Sequence, residues 1–392
     1  MKKVRYKYRI YPTLEQKAHL AKEFGCVRFV YNWGLKKQLD AISADDKRPN
    51  MVALSKQLTA LKKQQDYSWL KDVSSDPLQQ ALRHLDKAWN HCFSKRNKRP
   101  RFKKRRGDQS ISYTTHAFRI FEGELFFAKM KQPFDVRFSR PLPSAPKTAT
   151  ILKDTAGRYF VSFTVELDPQ PFPPQNKSIG IDLGLTHFLS ASDGEKVENP
   201  RYLERDLEKL AKAQRQLAKK QKGSKNREKA RQKVARIHAQ IADKRRDFLH
   251  QLSTRLLREN QAIGIETLAV KNMVKNRKLA RGISDVGWSG FVGMLEYKAE
   301  WYGRQLVKID RWFPSSKTCS CCGHVLETLP LDVRMWNCPR CGAKHDRDIN
   351  AAMNIKCAAG LAVQACGESN LLVERQQSLF QSGFEEAGKQ PS

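Results

Sequence analysis

Two Cys-x-x-Cys pairs, Cys319/Cys322 and Cys338/Cys341, stand fifteen residues apart in this chain. Each is followed directly by glycine, Gly323 and Gly342, where the backbone must turn back after the second thiolate. Two such knuckles meeting on one tetrahedral ion give the spacing of a structural Zn2+ ribbon. Four cysteines with structural roles and no metal are the plainer alternative. Cys321 also lies in the first knuckle and competes with Cys322 as a ligand. The Cys-x-x-Cys-Gly register favours Cys322.

Three acidic residues form a second group. Asp182 interrupts the apolar strand pattern Ile179, Ile181, Leu183, and Glu266 ends a similar segment, Ala262-Ile-Gly-Ile-Glu266. A carboxylate in such a strand is costly unless it is paired or bound to a metal. Asp348 opens the run Asp-Ile-Asn-Ala-Ala and sits at or near a helix N-terminus, where the helix dipole alone favours an acid. Asp346, two residues earlier, is its rival. Acids brought together repel unless cations sit between them. Two Mg2+ ions about 4 Å apart are the natural guests, activating water and stabilising a leaving 3′ oxygen. Oxygen-only ligands fit Mg2+ or Mn2+ better than Zn2+. The residues alone thus describe a metal-dependent nuclease with a separate structural zinc.

The elements that must position these groups follow from periodicity. Residues 1–11 alternate Val4, Tyr6, Tyr8, Ile10 with Lys3, Arg5, Lys7, Arg9, a strand with one basic face. Residues 12–98 read as four helices: two before Lys36-Lys37, one on Leu54, Leu58 and Leu61, and one starting at Ser74/Ser75 with Pro77 in its first turn. Gln79 and Gln80 on that last helix are candidate DNA contacts, although a solvated polar face is the ordinary fate of such residues. Short strands with turn signals from 99 to 172 predict a small β-barrel that the N-terminal strand joins. The proline-rich 169–176 reads as a linker. Residues 201–260 predict an antiparallel helical hairpin broken at Gly223-Ser224, and 282–303 a single helix. The fold class is multidomain α+β, with a disordered tail over 367–392.

Charge narrows the partners. With 73 Lys+Arg against 40 Asp+Glu, the formal net charge is +33. That excess calls for a polyanion, and nucleic acid is favoured over an anionic membrane. Nine positive residues lie in the thirteen of Ser94–Arg106, and sixteen against four acids in Arg205–Arg246. Arg99, Arg101, Lys103, Lys104 and Arg105 are candidate phosphate contacts, with Phe102 placed to stack on a base. No apolar run approaches the roughly 18 residues of a membrane span, and the start lacks a signal-peptide core. The nine cysteines, four in zinc spacing, fit a reducing cytoplasm.

GIDLGL (180–185), GIE (264–266) and DRDINAA (346–352) resemble the three motifs of a RuvC-type nuclease of RNase H fold. With YRIYPTLEQ (8–16), VRFVYNWGL (27–35), RPRFKKRR (99–106) and FPSSKTCSCCG (313–323), the chain is similar over residues 1–360 to TnpB proteins. These are transposon-encoded RNA-guided DNA endonucleases related to type V CRISPR effectors. The resemblance implies a wedge barrel (1–11 and 99–172), a recognition domain (12–98), a RuvC-like nuclease domain (177–312 and 345–366) and a zinc ribbon (313–344). It also implies Asp182, Glu266 and Asp348 as catalytic acids on Mg2+, Arg347 near the scissile phosphate, and Gln79/Gln80 near a transposon-adjacent motif. The partners would be a guide RNA from the transposon end and double-stranded target DNA. A monomeric ribonucleoprotein at the bacterial nucleoid would cut that DNA and so support transposon maintenance. The alternatives are a guided binder or repressor without cleavage, an RNase H-fold transposase, and a zinc-ribbon regulator. Transposases of that fold usually run Asp–Asp–Glu, whereas this chain runs Asp–Glu–Asp.

Overall fold

The computed structural model describes residues 1–105, 107 and 109–361. Arg106, the 367–392 tail and the last residues of the expected 345–366 segment lie outside them. The chain divides into two compact units: 1–169 with 209–239, and 170–208 with 240 onward.

In the first unit, β1 (Lys2–Ile10) buries Val4, Tyr8 and Ile10 and exposes Lys3, Arg5 and Lys7. Thr13 then opens α1 (Leu14–Ser43) with a capping box: its hydroxyl accepts from the Gln16 N–H, and the Gln16 side chain accepts from the Thr13 N–H. One continuous helix therefore replaces the two expected here. The buried positions Leu20, Phe24, Val27, Tyr31 and Leu35 hold one helical stripe throughout, and no proline breaks it. α2 (Met51–Leu61) and α3 (Ser75–Phe93) follow, and Pro77 is buried in the first turn of α3. The strands are β2 (Gln109–Thr114), β3 (Phe118–Phe121), β4 (Glu124–Phe127), β5 (Val136–Arg137), β6 (Thr148–Lys153) and β7 (Tyr159–Leu167). They form one five-stranded sheet, β2-β6-β7-β1-β5, and a separate β3–β4 hairpin. Aromatic contacts such as Phe118–Phe163 join hairpin and sheet.

The second unit begins with β8 (Ser178–Leu183), β9 (His187–Ala191) and β10 (Lys196–Glu198), then α4 (Tyr202–Arg205). α5 (Leu207–Ala218) and α6 (Lys225–Glu259) are the two helices in the stretch read as a hairpin, and residues 209–239 are grouped with the first unit. After them come β11 (Ala262–Glu266), α7 (Val270–Met273), α8 (Ala280–Val286), α9 (Trp288–Tyr302) and β12 (Gln305–Ile309). Gly287, in the left-handed region at φ 75°, separates α8 from α9 where one helix was expected. β13 (Met335–Asn337), β14 (Lys344–Asp346) and α10 (Arg347–Ala358) are the last elements of the unit among the described residues.

The sheet order is β10-β9-β8-β11-β12. β8, β11 and β12 run parallel, and β9 and β10 are antiparallel additions. Ile181, Ile263 and Ile265 pack with Leu252, Phe291 and Leu295 in one core, which fixes the acid-bearing strands between buried neighbours. Among the described residues, no helix is long and apolar enough to cross a membrane.

Candidate active site and metal centre

β8 and β11 pair in register up to Ile181↔Ile265. Asp182 and Glu266 are the next residues of each strand, so both carboxylates leave at the same carboxyl edge. That edge is where ligands gather on open parallel sheets. α10 lies directly on the two strand backbones. A Cβ on Gly180 would sit 2.2 Å from the Ala352 carbonyl oxygen, and one on Gly264 would sit 2.9 Å from the Ala359 Cβ. Only glycine permits this approach, and the approach carries the first turn of α10, with Asp348, toward the strand acids.

Burial pushes the Asp182 carboxyl up to about 7, and the neighbouring charges of Glu266 and Asp348 add to the rise. Arg347 and the Leu183 N–H oppose it. Burial raises Glu266 as well. Asp346 has a different role. It is the N-cap of α10, and its Oδ1 accepts from the N–H groups of Asp348 and Ile349 at 3.1 Å. Its Oδ2 lies 2.7 Å from Lys196 Nζ. Against the upward push of burial, the Lys196 hydrogen bond and the capped N–H groups hold this carboxyl below its ordinary value. Asp348 pairs with Arg334 of the cysteine-rich segment at 3.2 Å. Arg347 reaches the carbonyl oxygens of Pro330 at 2.5 Å and Val333 at 3.5 Å. Sequence reasoning missed Lys196 and Arg334, which lie far from their partners in the chain and in no recognisable pattern.

The donor set of Asp182, Glu266 and Asp348 is all oxygen and fits a hard divalent cation. A buried carboxyl raised by its neighbours' charges is the repulsion such a cation would offset. Among the described residues these acids do not meet the tighter spacing of the cysteines, whose four sulfurs all lie within 4.8 Å of one another.

In the cysteine centre, Sγ–Sγ separations are 3.7 Å for Cys319–Cys341 and 3.6 Å for Cys322–Cys338. A tetrahedral Zn2+ with bonds of about 2.3 Å requires about 3.8 Å, so the thiolates fit that ion. Cys322 belongs to the cluster, whereas Cys321 is exposed outside it. Trp336 backs Cys319 and Cys338 in a small core. His345 approaches Cys319 Sγ to 3.0 Å and packs on the Trp336 ring.

Two asparagines join this centre to α10. The Asn350 side chain donates to the Thr318 carbonyl at 2.7 Å and accepts from the Ser320 N–H at 2.9 Å. Asn354 donates to the carbonyls of Ser315 at 2.8 Å and Thr318 at 2.6 Å. Both are buried. Two asparagines four residues apart on a helix face were the available signal, and sequence reading passed over them as ordinary helix residues.

The nucleic-acid candidates lie in the first unit. Gln79 accepts from the Ser55 hydroxyl at 2.8 Å, and Gln80 faces Asp76 at 3.5 Å, so both are partly engaged within the chain. Lys103 is half-buried over the Tyr31 ring, with its backbone held by Asn32. Arg99 leans on Trp89. Arg101, Phe102, Lys104 and Arg105 are exposed.

Fold and site together define a two-unit α+β protein whose four-thiolate centre is hydrogen-bonded to the helix that carries Asp348. Residues 162–277 match a family model described as "Probable transposase", and residues 288–355 match a "Cas12f1-like, TNB domain". Residues 1–47 match a "Helix-turn-helix domain", although here they hold β1 and the single long α1. A "Putative RNA-guided DNA endonuclease" of Streptomyces pristinaespiralis is 53% identical over 93% of this chain and 90% of its own length. The "Putative RNA-guided DNA endonuclease InsQ" of Escherichia coli K12 is 32% identical over 93% of this chain and 94% of its own. A solved Cas12f1–sgRNA–target DNA complex contains a chain of similar fold, with TM-score 0.53 and 13% identity over 87% of this chain and 82% of that one. The chain belongs to the TnpB family, the OrfB group of IS605 elements.

Proposed function

We propose that this protein is an RNA-guided DNA endonuclease that hydrolyses phosphodiester bonds of target DNA beside a short transposon-adjacent motif. The observation that carries the reading is the convergence of Asp182, Glu266 and Asp348, with Asp182 raised to about 7 by burial and by the other two charges. Two carboxyls raised by burial at the ends of adjacent strands, Asp182 and Glu266, support a chemical role for that edge. The shared name of the long relatives supports the same reading.

In this proposal residues 177–312 and 345–366 form a RuvC-like nuclease domain and 313–344 a structural zinc ribbon. Residues 1–11 and 99–172 form the wedge, and 12–98 the recognition domain. Asp182, Glu266 and Asp348 would hold the catalytic divalent cations, two Mg2+ or Mn2+. When bound, these supply an activated water and stabilisation of the leaving oxygen. The protein's own part is positional. β8 and β11 hold two acids at one edge, α10 brings the third, and Asn350 and Asn354 tie that helix to the ribbon. Asp346 caps the helix and leaves the third position to Asp348. The guide RNA comes from the transposon end, and its pairing with the target strand supplies most of the sequence specificity. The complex contains one copy of the chain and works at the nucleoid.

The test is purification after expression with the native downstream DNA, followed by sequencing of the bound RNA. One discrete RNA ending in variable flanking sequence supports the guided reading. No RNA, or a random mixture, removes it in favour of an unguided transposase or regulator.

A further inference from the structure

A cavity of about 490 Å³ opens beside Leu185, between α4 and α8 in the second unit. Its size suits a single nucleotide. Its frame is fixed by bonds that do not involve the side chains of Arg277, Lys278 and Arg281. The Asn199 amide donates to the Leu185 carbonyl at 2.7 Å. Asp285 accepts from the Leu203 N–H at 2.9 Å and pairs with Arg245. Gly282 brings α8 against Leu185, where an added Cβ would lie 3.7 Å from its Cδ2.

Two kinds of surface line this frame. Leu185, Leu203 and Leu207 supply an apolar wall. Arg277, Lys278 and Arg281 supply three exposed cations that make no side-chain hydrogen bond or ion pair among the described residues. Of the two lining acids, Asp285 is taken up by Arg245, and Glu204 faces Arg201 at 3.8 Å. An anionic ligand with a flat apolar part matches both surfaces, which is the chemistry of an unstacked nucleotide. Leu185 follows Asp182 by three residues, so their Cα atoms are at most about 11 Å apart. A strand seated here would pass the acids within a nucleotide or two.

We infer that this cavity holds one unstacked nucleotide of the DNA strand being cut, with Arg277 and Arg281 on its phosphates. The inference rests on the endonuclease reading and adds a positioning site to it.

The test uses the full ribonucleoprotein with a programmed target and compares the parent chain, Arg277→Ala/Arg281→Ala and Arg277→Lys/Arg281→Lys. In the alanine variant, single-turnover cutting falls roughly tenfold or more. Its dependence on salt between roughly 50 and 200 mM becomes shallower, by about 1.4 in log–log slope for two lost single-strand phosphate contacts. Gel-shift binding of the target stays unchanged, and the lysine variant recovers most of the rate. A photo-crosslinking residue at position 203 labels the cut DNA strand. If the parent does not cut, the endonuclease reading fails and the inference falls with it. If the parent cuts and the alanine variant matches it in rate and salt slope, the inference alone fails. A crosslink only to the guide RNA also overturns it.

Discussion

Gly180 and Ala352 are in direct backbone contact: a Cβ on Gly180 would lie 2.2 Å from the Ala352 carbonyl oxygen and 2.5 Å from the Lys356 nitrogen. Through this contact helix α10 rests on strand β8, and the position of Asp348 relative to Asp182 depends on it. Gly180→Ala must push the helix off the strand. We expect a loss of about 1–3 kcal/mol in denaturant unfolding, together with loss of cutting at unchanged zinc content. A variant with parental stability and activity would show that α10 does not set the acid geometry.

The cysteine centre predicts a separable defect. Cys338→Ser should release about one zinc per chain, because binding and local folding are linked. Asn354→Ala leaves all four thiolates in place but removes two bonds to the knuckle carbonyls. It should keep its zinc and cut more slowly. Metal analysis beside a cleavage assay separates the two cases, and loss of zinc in Asn354→Ala would make that residue a support of the ribbon rather than a link to α10.

Arg334 pairs with Asp348 at 3.2 Å, so a cation entering the acid cluster must compete with a guanidinium. Arg334→Ala should tighten Mn2+ or Mg2+ binding several-fold, measured by calorimetry on the full chain. Because the arginine is more than half exposed, the effect should stay modest. Weaker metal binding would mean that Arg334 holds Asp348 in its binding position.

A pH dependence arises in the first unit. Glu23 is fully buried, and burial pushes its carboxyl up to about 7 despite the hydrogen bond from the Tyr113 hydroxyl. Nearby Asp76 adds to the rise, and His19, 4.0 Å away, is held toward its neutral form by burial. An acid raised by folding keeps its proton in the native state after the unfolded chain has released it. Stability therefore falls as pH rises from about 4.5 to about 7 and is level above, a change on the order of 3 kcal/mol. Asp182 contributes in the same sense, so Glu23→Gln should remove part of the slope in urea melts across that range. An unchanged slope would show that Glu23 is ionised in the folded state.

Much of the candidate site was legible because the chemistry it offers is local in sequence. A carboxylate inside an apolar strand, and thiolates two residues apart before a glycine, carry their own physical signature. The fold was less legible wherever a long-range partner decides the outcome. Nothing around Gly180 reveals that a helix 170 residues later will lie on it. Asn350 and Asn354 read as neutral helix residues until the Thr318 carbonyl is brought between them. Lys103 reads as one more cation in a basic run, yet it packs on Tyr31, which left-to-right reading places in another element. The break at Gly287 was visible as a glycine, but the surrounding helical period masked it.

Programmed cleavage separates a guided endonuclease from a guided binder that does not cut. The purified ribonucleoprotein of the parent chain and of Asp182→Ala is given one matched duplex in Mg2+, with RNA content and target binding measured in parallel. The parent should cut the matched duplex and spare a mismatched one. Asp182→Ala should carry the same RNA, bind the same DNA and fail to cut. Cutting by Asp182→Ala at the parental rate would exclude Asp182 from the catalytic site.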